Sequence, residues 1–136
     1  MPRIKHIAIA TQDADKTAQF FQDVFGLRRL RTTERDTHYG HILTDGYINL
    51  AILDFKTNGA AGADRGTGYS GIHHMGIEVE DLEGTAKKMA EAGQAPRQDI
   101  NDALGVKGTA SHEFKWQAPD GVMLDISATG WDAGSA

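Results

Sequence analysis

The sequence predicts an α+β fold of two repeated βαβββ modules, whose mixed sheets form a concave, partly closed, barrel-like cup. The main observation is an internal repeat, because KHIAIATQD at 5–13 returns in changed form as HHMGIEVED at 73–81. In both copies a His opens a short apolar-rich run, an Asp closes it seven residues later, and a helix-like segment follows. The second observation is an Asp-Gly turn before the last strand of each copy. The copies are offset by half of the 136-residue chain.

The first module is predicted over about residues 3–55. Residues 4–10 alternate between a large apolar face and a small-residue face, which is typical of a strand. Asp13 is suited to cap a helix over 14–25, and Gly26 is suited to end it. Three more strands are predicted, the first of them with its basic residues outward, over 27–34, 38–43 and 47–55.

The second module is predicted over about 72–128. A Gly/Ala-rich segment at 56–71 precedes it and is interpreted as a linker, with a mobile loop over a site as the alternative. A polar C-terminal tail follows it at 129–136. Within the module the predicted elements are a strand at 72–79, a helix at 82–92 capped by Asp81, and strands at 110–118 and 122–127; residues 94–108 are weakly patterned.

Composition narrows the classes of function. The length fits one domain. The net charge is −5, without a basic stripe, so we expect no nucleic-acid partner. No apolar run reaches the length of a membrane span, and no signal region opens the chain, so we expect no membrane association and a cytoplasmic location. The absence of Cys excludes disulfides and thiolate chemistry.

Strand phase gathers four polar side chains on one face of the predicted sheet. His6 and His74 hold equivalent positions in the opening strands of the two modules. Asp125 and Asn49 fall in phase with them in the closing strands. Burying these groups together without a shared partner would be costly. Two imidazoles and one carboxylate suit a divalent metal that keeps open positions, so His6, His74 and Asp125 are predicted metal ligands. Asn49 either adds a weak oxygen ligand or binds substrate.

Three motifs carry a resemblance to a known family. They are KHIAIATQDADKTAQFFQDVFGL at 5–27, GIHHMGIEVEDLEGTAKKMAEAG at 71–93 and QAPDGVMLDIS at 117–127. In this order, with the internal repeat, they resemble the vicinal oxygen chelate superfamily, which includes glyoxalases, bleomycin-resistance proteins and extradiol dioxygenases. The resemblance covers about residues 3–128.

The resemblance implies a metal site at the residues that strand phase selects. It makes His6 and His74 the two His ligands and places Asp125 where a Glu ligand usually stands. The implied cofactor is one divalent ion per site, either Fe, Mn, Zn or Ni. The sequence departs from the family at Asp125, which is one methylene shorter than Glu, and at Asn49, which is a poor ligand.

Other residues are weaker candidates. Glu113 is the nominal catalytic base, and Tyr39, His41 and Lys115 are candidate substrate contacts, with an exposed strand face as the alternative for each. His73 alternates away from His74 and is interpreted as structural, although a register slip would exchange the two. Phe114 and Trp116 are expected in the core.

Two functions remain open at this point. The resemblance implies a metal-dependent enzyme that chelates two neighbouring oxygens of a small substrate, either a glyoxalase-like lyase or isomerase or a ring-cleaving dioxygenase. The alternative is a metal-free protein that sequesters a small aromatic or antibiotic-like ligand in the same cup. A homodimer is expected in both cases, with the modules paired either within a chain or by exchange between chains.

Overall fold

The computed structural model describes residues 1–108 and 112–134. Its elements, in chain order, are β1 (Arg3–Ala10), α1 (Ala14–Phe25), β2 (Arg28–Glu34), β3 (His38–Thr44), β4 (Asn49–Phe55), α2 (Asn58–Ala61), β5 (Gly71–Glu78), α3 (Leu82–Glu91), β6 (Ala95–Pro96), α4 (Gln98–Ala103), β7 (Phe114–Gln117) and β8 (Met123–Ser127).

The predicted α+β fold with two modules is confirmed. All eight strands form one mixed sheet in the order β2-β3-β4-β1-β5-β8-β7-β6. β1 pairs in parallel with β4, and β5 pairs in parallel with β8, so the two modules repeat the same arrangement. The modules join where β1 and β5 pair antiparallel within one chain. The sheet stays open, with β2 and β6 at its edges, so it does not close into a barrel.

Both long helices begin at the predicted caps. The Asp13 side chain accepts a hydrogen bond from the backbone N–H of Lys16, and Asp81 does the same for Gly84. Gly26 ends α1 in the left-handed conformation, with φ of 69°. Of these elements, α1 and α3 cover one face of the sheet, which we call the helical face, and leave the other face to form the cup.

Alternating side chains divide the core between the two faces. On the helical face, Ala14 and Ala18 of α1 pack against Leu43 and Ile52. Under α3 the predicted core positions are confirmed, because Phe114 and Trp116 are buried there with Val79 and Ile126. On the cup side a separate apolar cluster, mostly of alanines, is formed by Ala8, Ala10, Ile42, Ala51, Leu53, Phe55, Ala60 and Ala61.

The segment between the modules is packed against the cup. Thr57 caps α2, and Ala60 and Ala61 have no exposed surface. The side-chain amide of Gln12 donates to the carbonyl oxygens of Thr67 and Tyr69 and fixes the rest of the segment to the end of β1. Ala60 and Ala61, which lie in the segment predicted as a linker or a mobile loop, therefore belong to the floor of the cup.

The weakly patterned stretch at 94–108 contains β6 and α4. The guanidinium of Arg97, just before α4, donates to Asp99 and to Asp64 and so ties α4 to the segment between the modules. The predicted strand at 110–118 begins at Phe114 in the structure, and its first two positions lie outside the described residues. Within the described residues, no helix combines the length and apolarity needed to span a bilayer.

Candidate metal centre and its cavity

Three side chains of ligand type meet at the junction of the modules. His6 lies on β1, His74 on β5 and Asp125 on β8, and all three are buried. The register explains the meeting, because Gly76 pairs with His6 on one side and with Asp125 on the other. One ligand atom from each residue lies within 4.8 Å of the other two. The predicted grouping of these side chains is therefore present in the structure.

Asn49 determines which ring nitrogen of His6 carries the proton. The Asn49 side-chain amide donates to the carbonyl oxygen of Asp132 at 2.6 Å, which leaves its Oδ1 facing His6 Nδ1 at 2.7 Å. Since that oxygen can only accept, His6 Nδ1 carries the proton and donates. The Nε2 atom of neutral His6 then presents a lone pair to the centre.

In the same way, His73 determines which ring nitrogen of His74 carries the proton. His73 Nε2 lies 2.7 Å from the carbonyl oxygen of Ala61 and must donate to it, so the neutral ring has its lone pair on Nδ1. That lone pair faces His74 Nδ1 at 2.8 Å and accepts its proton. Burial, with the neighbouring His74, lowers the pKa of His73 to about 3, which keeps His73 neutral. His74 Nε2 therefore also turns a lone pair toward the centre.

A β-bulge places His73 in the cup, against the predicted alternation. Ala8 pairs with His74 and Ile9 pairs with Ile72, so His73 is the extra residue of β5. Its ring contacts Phe55, with a centroid separation of 4.6 Å, and it is almost fully buried. The expectation that His73 points to the other face was wrong, because one inserted residue shifts the phase of the strand.

The protein atoms of the centre fit a cation. His6 Nε2 and His74 Nε2 are 3.2 Å apart, and His74 Nε2 lies 3.1 Å from Asp125 Oδ2. Burial, with the neighbouring His74, lowers the pKa of His6 to about 4, so His6 Nε2 holds a lone pair at neutral pH. Within residues 1–108 and 112–134, neither carboxylate oxygen of Asp125 accepts a well-aligned hydrogen bond, although the Lys115 ammonium lies beside Oδ1. Three electron-rich atoms that converge in this way suit a divalent metal.

Lys115 reaches the same carboxylate from β7. Its ammonium lies 2.9 Å from Asp125 Oδ1, and both side chains are buried. Burial acts to raise the pKa of Asp125, but the interactions of its carboxylate with the His74 ring and the Lys115 ammonium outweigh burial and lower the pKa overall. Lys115 was predicted as a substrate contact. It lines the cavity as expected, and the structure adds an ion pair that strand phase does not reveal.

A cavity of about 400 Å³ opens above the centre. Glu113 stands at its wall in a left-handed conformation, with φ of 62°. Its Oε1 accepts a hydrogen bond from Trp131 Nε1 at 3.1 Å, and the side chain stays partly exposed. The candidate base therefore faces the same space as His6. Apolar side chains form part of the wall: Ile42, Leu53, Phe55, Leu104 and Val106.

The C-terminal segment crosses the cavity, which the sequence did not predict. The ring of Trp131 stacks on His6, with a centroid separation of 5.0 Å and an angle of 6°. A Cβ on Gly76 would lie 2.6 Å from that ring, so only glycine leaves room for it. A lone Trp in an otherwise polar tail is the one sequence signal for this contact.

Two predicted substrate contacts lie away from the cavity. Tyr39 and His41 lie on the helical face, where both donate to Asp15 Oδ1 of α1, His41 at 2.6 Å. His41 Nδ1 then accepts from Thr32. Through these hydrogen bonds the two side chains anchor α1 to β3. They lie away from the cavity because the residues of β3 that alternate with them occupy the cup side.

The basic residues of β2 do not all point outward as expected. A register shift between Arg29 and Arg31 inserts one extra residue into β2. Beyond that bulge, Arg31, Thr33 and Arg35 line the cavity. The cavity therefore has a cationic side that strict alternation through the strand did not predict.

Comparison with known proteins agrees with this architecture. The family model of the Glyoxalase/Bleomycin resistance protein/Dioxygenase superfamily matches residues 3–126. A protein of Vibrio cholerae named probable lactoylglutathione lyase is 30% identical over 129 residues, which is 91% of this chain and 88% of that protein. The lactoylglutathione lyase of Haemophilus influenzae is 29% identical over 129 residues, 91% of this chain and 90% of that protein.

A solved structure shares the fold. Methylmalonyl-CoA epimerase in complex with methylmalonyl-CoA superimposes with a TM-score of 0.69 at 20% identity, covering 100% of this chain and 99% of that chain. The family match spans both modules and all three residues of the metal centre. The chain belongs to the glyoxalase/bleomycin resistance/dioxygenase superfamily, also called the vicinal oxygen chelate superfamily.

Proposed function

We propose that this chain is a metal-dependent enzyme that holds one divalent ion, either Fe, Mn, Zn or Ni, through His6, His74 and Asp125. The observation that carries the proposal is the convergence of two imidazole lone pairs and a buried carboxylate within 4.8 Å. When bound, the ion supplies Lewis acidity to two neighbouring oxygens of a small substrate. The hydrogen bonds of Asn49 and His73 hold the imidazoles in the tautomers that this role requires.

The proposed reaction is proton transfer at a carbon beside a carbonyl group, which is lyase or isomerase chemistry. The names of the relatives from Vibrio and Haemophilus support this choice over ring-cleaving dioxygenase chemistry, which would use the same three ligands. Glu113 is the proposed base, because its carboxylate lines the cavity beside His6. The hydrogen bond from Trp131 orients that carboxylate.

Asn49 is assigned a positioning role. Both ends of its side-chain amide are occupied, one by His6 and the other by the Asp132 carbonyl. The proposal therefore keeps Asn49 as the partner of His6 and does not use it as a ligand. Tyr39 and His41 have no part in the proposed reaction, because their side chains bind α1 on the helical face.

One observation favours a second candidate, the metal-free binding protein. Lys115 already supplies a positive charge to Asp125 at 2.9 Å, so the carboxylate does not depend on a metal for compensation. In that case the cavity would sequester a small ligand without turning it over. The two candidates differ in whether the three converging atoms bind metal.

Deuterium exchange tests the proposed reaction. The chain is loaded in turn with Zn²⁺, Ni²⁺, Mn²⁺ and Fe²⁺ and incubated with lactoylglutathione in D₂O, and exchange beside the thioester carbonyl is followed by NMR. We expect metal-dependent exchange in the native chain and its loss in His6→Ala. Glu113→Gln is expected to keep the metal and to lower exchange by about 10²-fold or more. Exchange that is equally fast in the metal-free chain, or in Glu113→Gln, would contradict the assignment.

A homodimer is also part of the proposal. Large apolar side chains of α1 are exposed in the single chain, with Phe20 at 50%, Val24 at 58% and Phe25 at 63%. Such a patch supports a contact between copies. His6, His74 and Asp125 come together within one chain, so exchange of modules is not needed to complete the centre. A cytoplasmic location remains a prediction from the sequence.

A further inference from the structure

We propose that the β2 side of the cavity is a subsite for an oxyanion, built from Arg35 and Thr33, and that the substrate is therefore a small organic anion. The proposal rests on the proposed function, since it assigns a substrate class to the same cavity. The subsite would bind a carboxylate or phosphoryl group of the substrate. That group is separate from the substrate oxygens that the metal centre would bind.

Strand phase presents the subsite to the cavity. Beyond the bulge in β2, Arg31 and Thr33, and Arg35 just after the strand ends, recur at every second position and therefore face one side. All three line the cavity. Arg29 precedes the bulge and is absent from the lining, so it provides a cation on the same strand outside the proposed site.

The hydroxyl of Thr33 lacks a partner. In the part of the chain that the structure describes, three buried side-chain polar atoms have no hydrogen bond. Two are the carboxylate oxygens of Asp125, in the metal centre, and the third is Thr33 Oγ1. A buried polar atom without a partner is costly in a native structure, and a bound ligand is one explanation for it. The Asp125 carboxylate lies beside the Lys115 ammonium, whereas the Thr33 hydroxyl has no hydrogen-bond partner among the described residues and thus marks a place in the cavity where a ligand would bind.

Arg35 carries a charge without a counter-ion. Asp132 lies 3.4 Å from the Arg31 guanidinium, and Asp125 lies 2.9 Å from the Lys115 ammonium. Among residues 1–108 and 112–134, no carboxylate forms an ion pair with Arg35. A guanidinium presents parallel N–H donors that match the two oxygens of a carboxylate or phosphoryl group. Arg35 is thus the cation of the cavity that is free to bind an anion.

The neighbouring His38 adds no second positive charge beside Arg35. His38 also lines the cavity, and its Nδ1 lies 3.0 Å from the hydroxyl of Thr37. Burial, together with the charge of Arg35, lowers the pKa of His38, so its ring is neutral at physiological pH. The apolar wall formed by Ile42, Leu53 and Phe55 lines the same space. This combination fits an anion with an apolar body.

Matched small probes test the subsite. The full chain is treated with chelator, dialysed, and titrated with benzoate, phenylphosphonate and benzamide by two-dimensional ¹H–¹⁵N NMR, then titrated again after loading with Zn²⁺. Benzamide has nearly the shape of benzoate without its charge. We expect at least one anion to bind about tenfold or more tightly than benzamide, with or without Zn²⁺. Preference for benzoate would identify a carboxylate substrate, and preference for phenylphosphonate a phosphoryl substrate.

Variants of β2 decide whether the anion binds where proposed. Arg35→Gln is expected to weaken binding of the preferred anion by about tenfold or more, while Arg29→Gln leaves it unchanged. Thr33→Val is expected to weaken anion binding about threefold or more without lowering the melting temperature, since it removes a hydroxyl that lacks a partner. Equal binding of benzoate, phenylphosphonate and benzamide, or equal effects of Arg35→Gln and Arg29→Gln, would overturn the subsite. Because the metal-free titration does not involve the metal centre, these results are independent of whether the proposed metal binding holds.

Discussion

Replacing His73 by Leu tests how the protein sets the tautomer of a metal ligand. His73 is buried and joins two polar groups, because it accepts from His74 Nδ1 and donates to the carbonyl of Ala61. Leu has a comparable bulk but can do neither. The substitution therefore leaves the His74 N–H and the Ala61 carbonyl buried without partners.

The expected effects follow from these two lost bonds. Each orphaned buried group costs about 1–3 kcal/mol, so His73→Leu is expected to lower the free energy of unfolding by about 2–6 kcal/mol. Without the acceptor on His73, the His74 ring is free to place its proton on Nε2, where it blocks coordination. Loss of a hydrogen bond that orients a metal ligand typically lowers metal affinity by about 10–100-fold.

His41→Leu is the matched control. His41 is equally buried and also has two polar partners, but these are Asp15 and Thr32 on the helical face. Unfolding in guanidinium chloride reports stability, and competition with a chromophoric chelator reports Zn²⁺ affinity. We expect both variants to lose stability and only His73→Leu to lose affinity. Unchanged Zn²⁺ affinity in His73→Leu, or an equal loss in His41→Leu, would refute the argument.

Two further predictions concern packing and acid stability. Gly76→Ala is expected to lower the free energy of unfolding by about 1–3 kcal/mol and to shift Trp131 fluorescence to the red, because the new methyl group would lie 2.6 Å from that ring. Gly68→Ala is the control, since a Cβ there meets nothing within 4 Å. Equal melting temperatures for the two variants would contradict the packing. Hydrogen bonds from Arg97 lower the pKa values of Asp64 and Asp99 below 3.8, so their stabilisation is full above that pH and is lost as the pH falls through the lowered values. Arg97→Gln should therefore destabilise the protein more at pH 7 than at pH 3 in urea unfolding, and an equal loss at both pH values would show that the ion pairs do not contribute.

The sequence was sufficient to predict the residues of the metal centre, because the alternation of side chains along a strand depends only on that strand's own residues. Alternation of side chains with a period of two put His6, His74 and Asp125 on one face, and the internal repeat indicated that their strands are neighbours. Both predictions depend only on residues within each strand and on the pairing of equivalent strands. The caps at Asp13 and Asp81 were predictable for the same reason, since a cap is read from the first turn alone.

The sequence did not reveal features that depend on an insertion or on distant contacts. The bulges beside His73 and Arg31 each add one residue to a strand, and one residue is enough to exchange the two faces. Trp131 reaches His6 from a segment that has no periodic pattern of its own. Lys115 was a candidate substrate contact and does line the cavity, but its contact with Asp125 joins two strands whose pairing register had to be known first.

The most direct test of the account is the number of metal ions that the chain binds. Inductively coupled plasma mass spectrometry on the purified protein, before and after reconstitution with Fe²⁺, Mn²⁺, Zn²⁺ and Ni²⁺, measures it. The converging lone pairs of His6, His74 and Asp125 predict about one equivalent of one of these metals in the native chain, and less than about 0.1 equivalent in His6→Ala and His74→Ala. Less than about 0.1 equivalent in the native chain, or equal content in the variants, would contradict a metal centre and favour the metal-free binding protein.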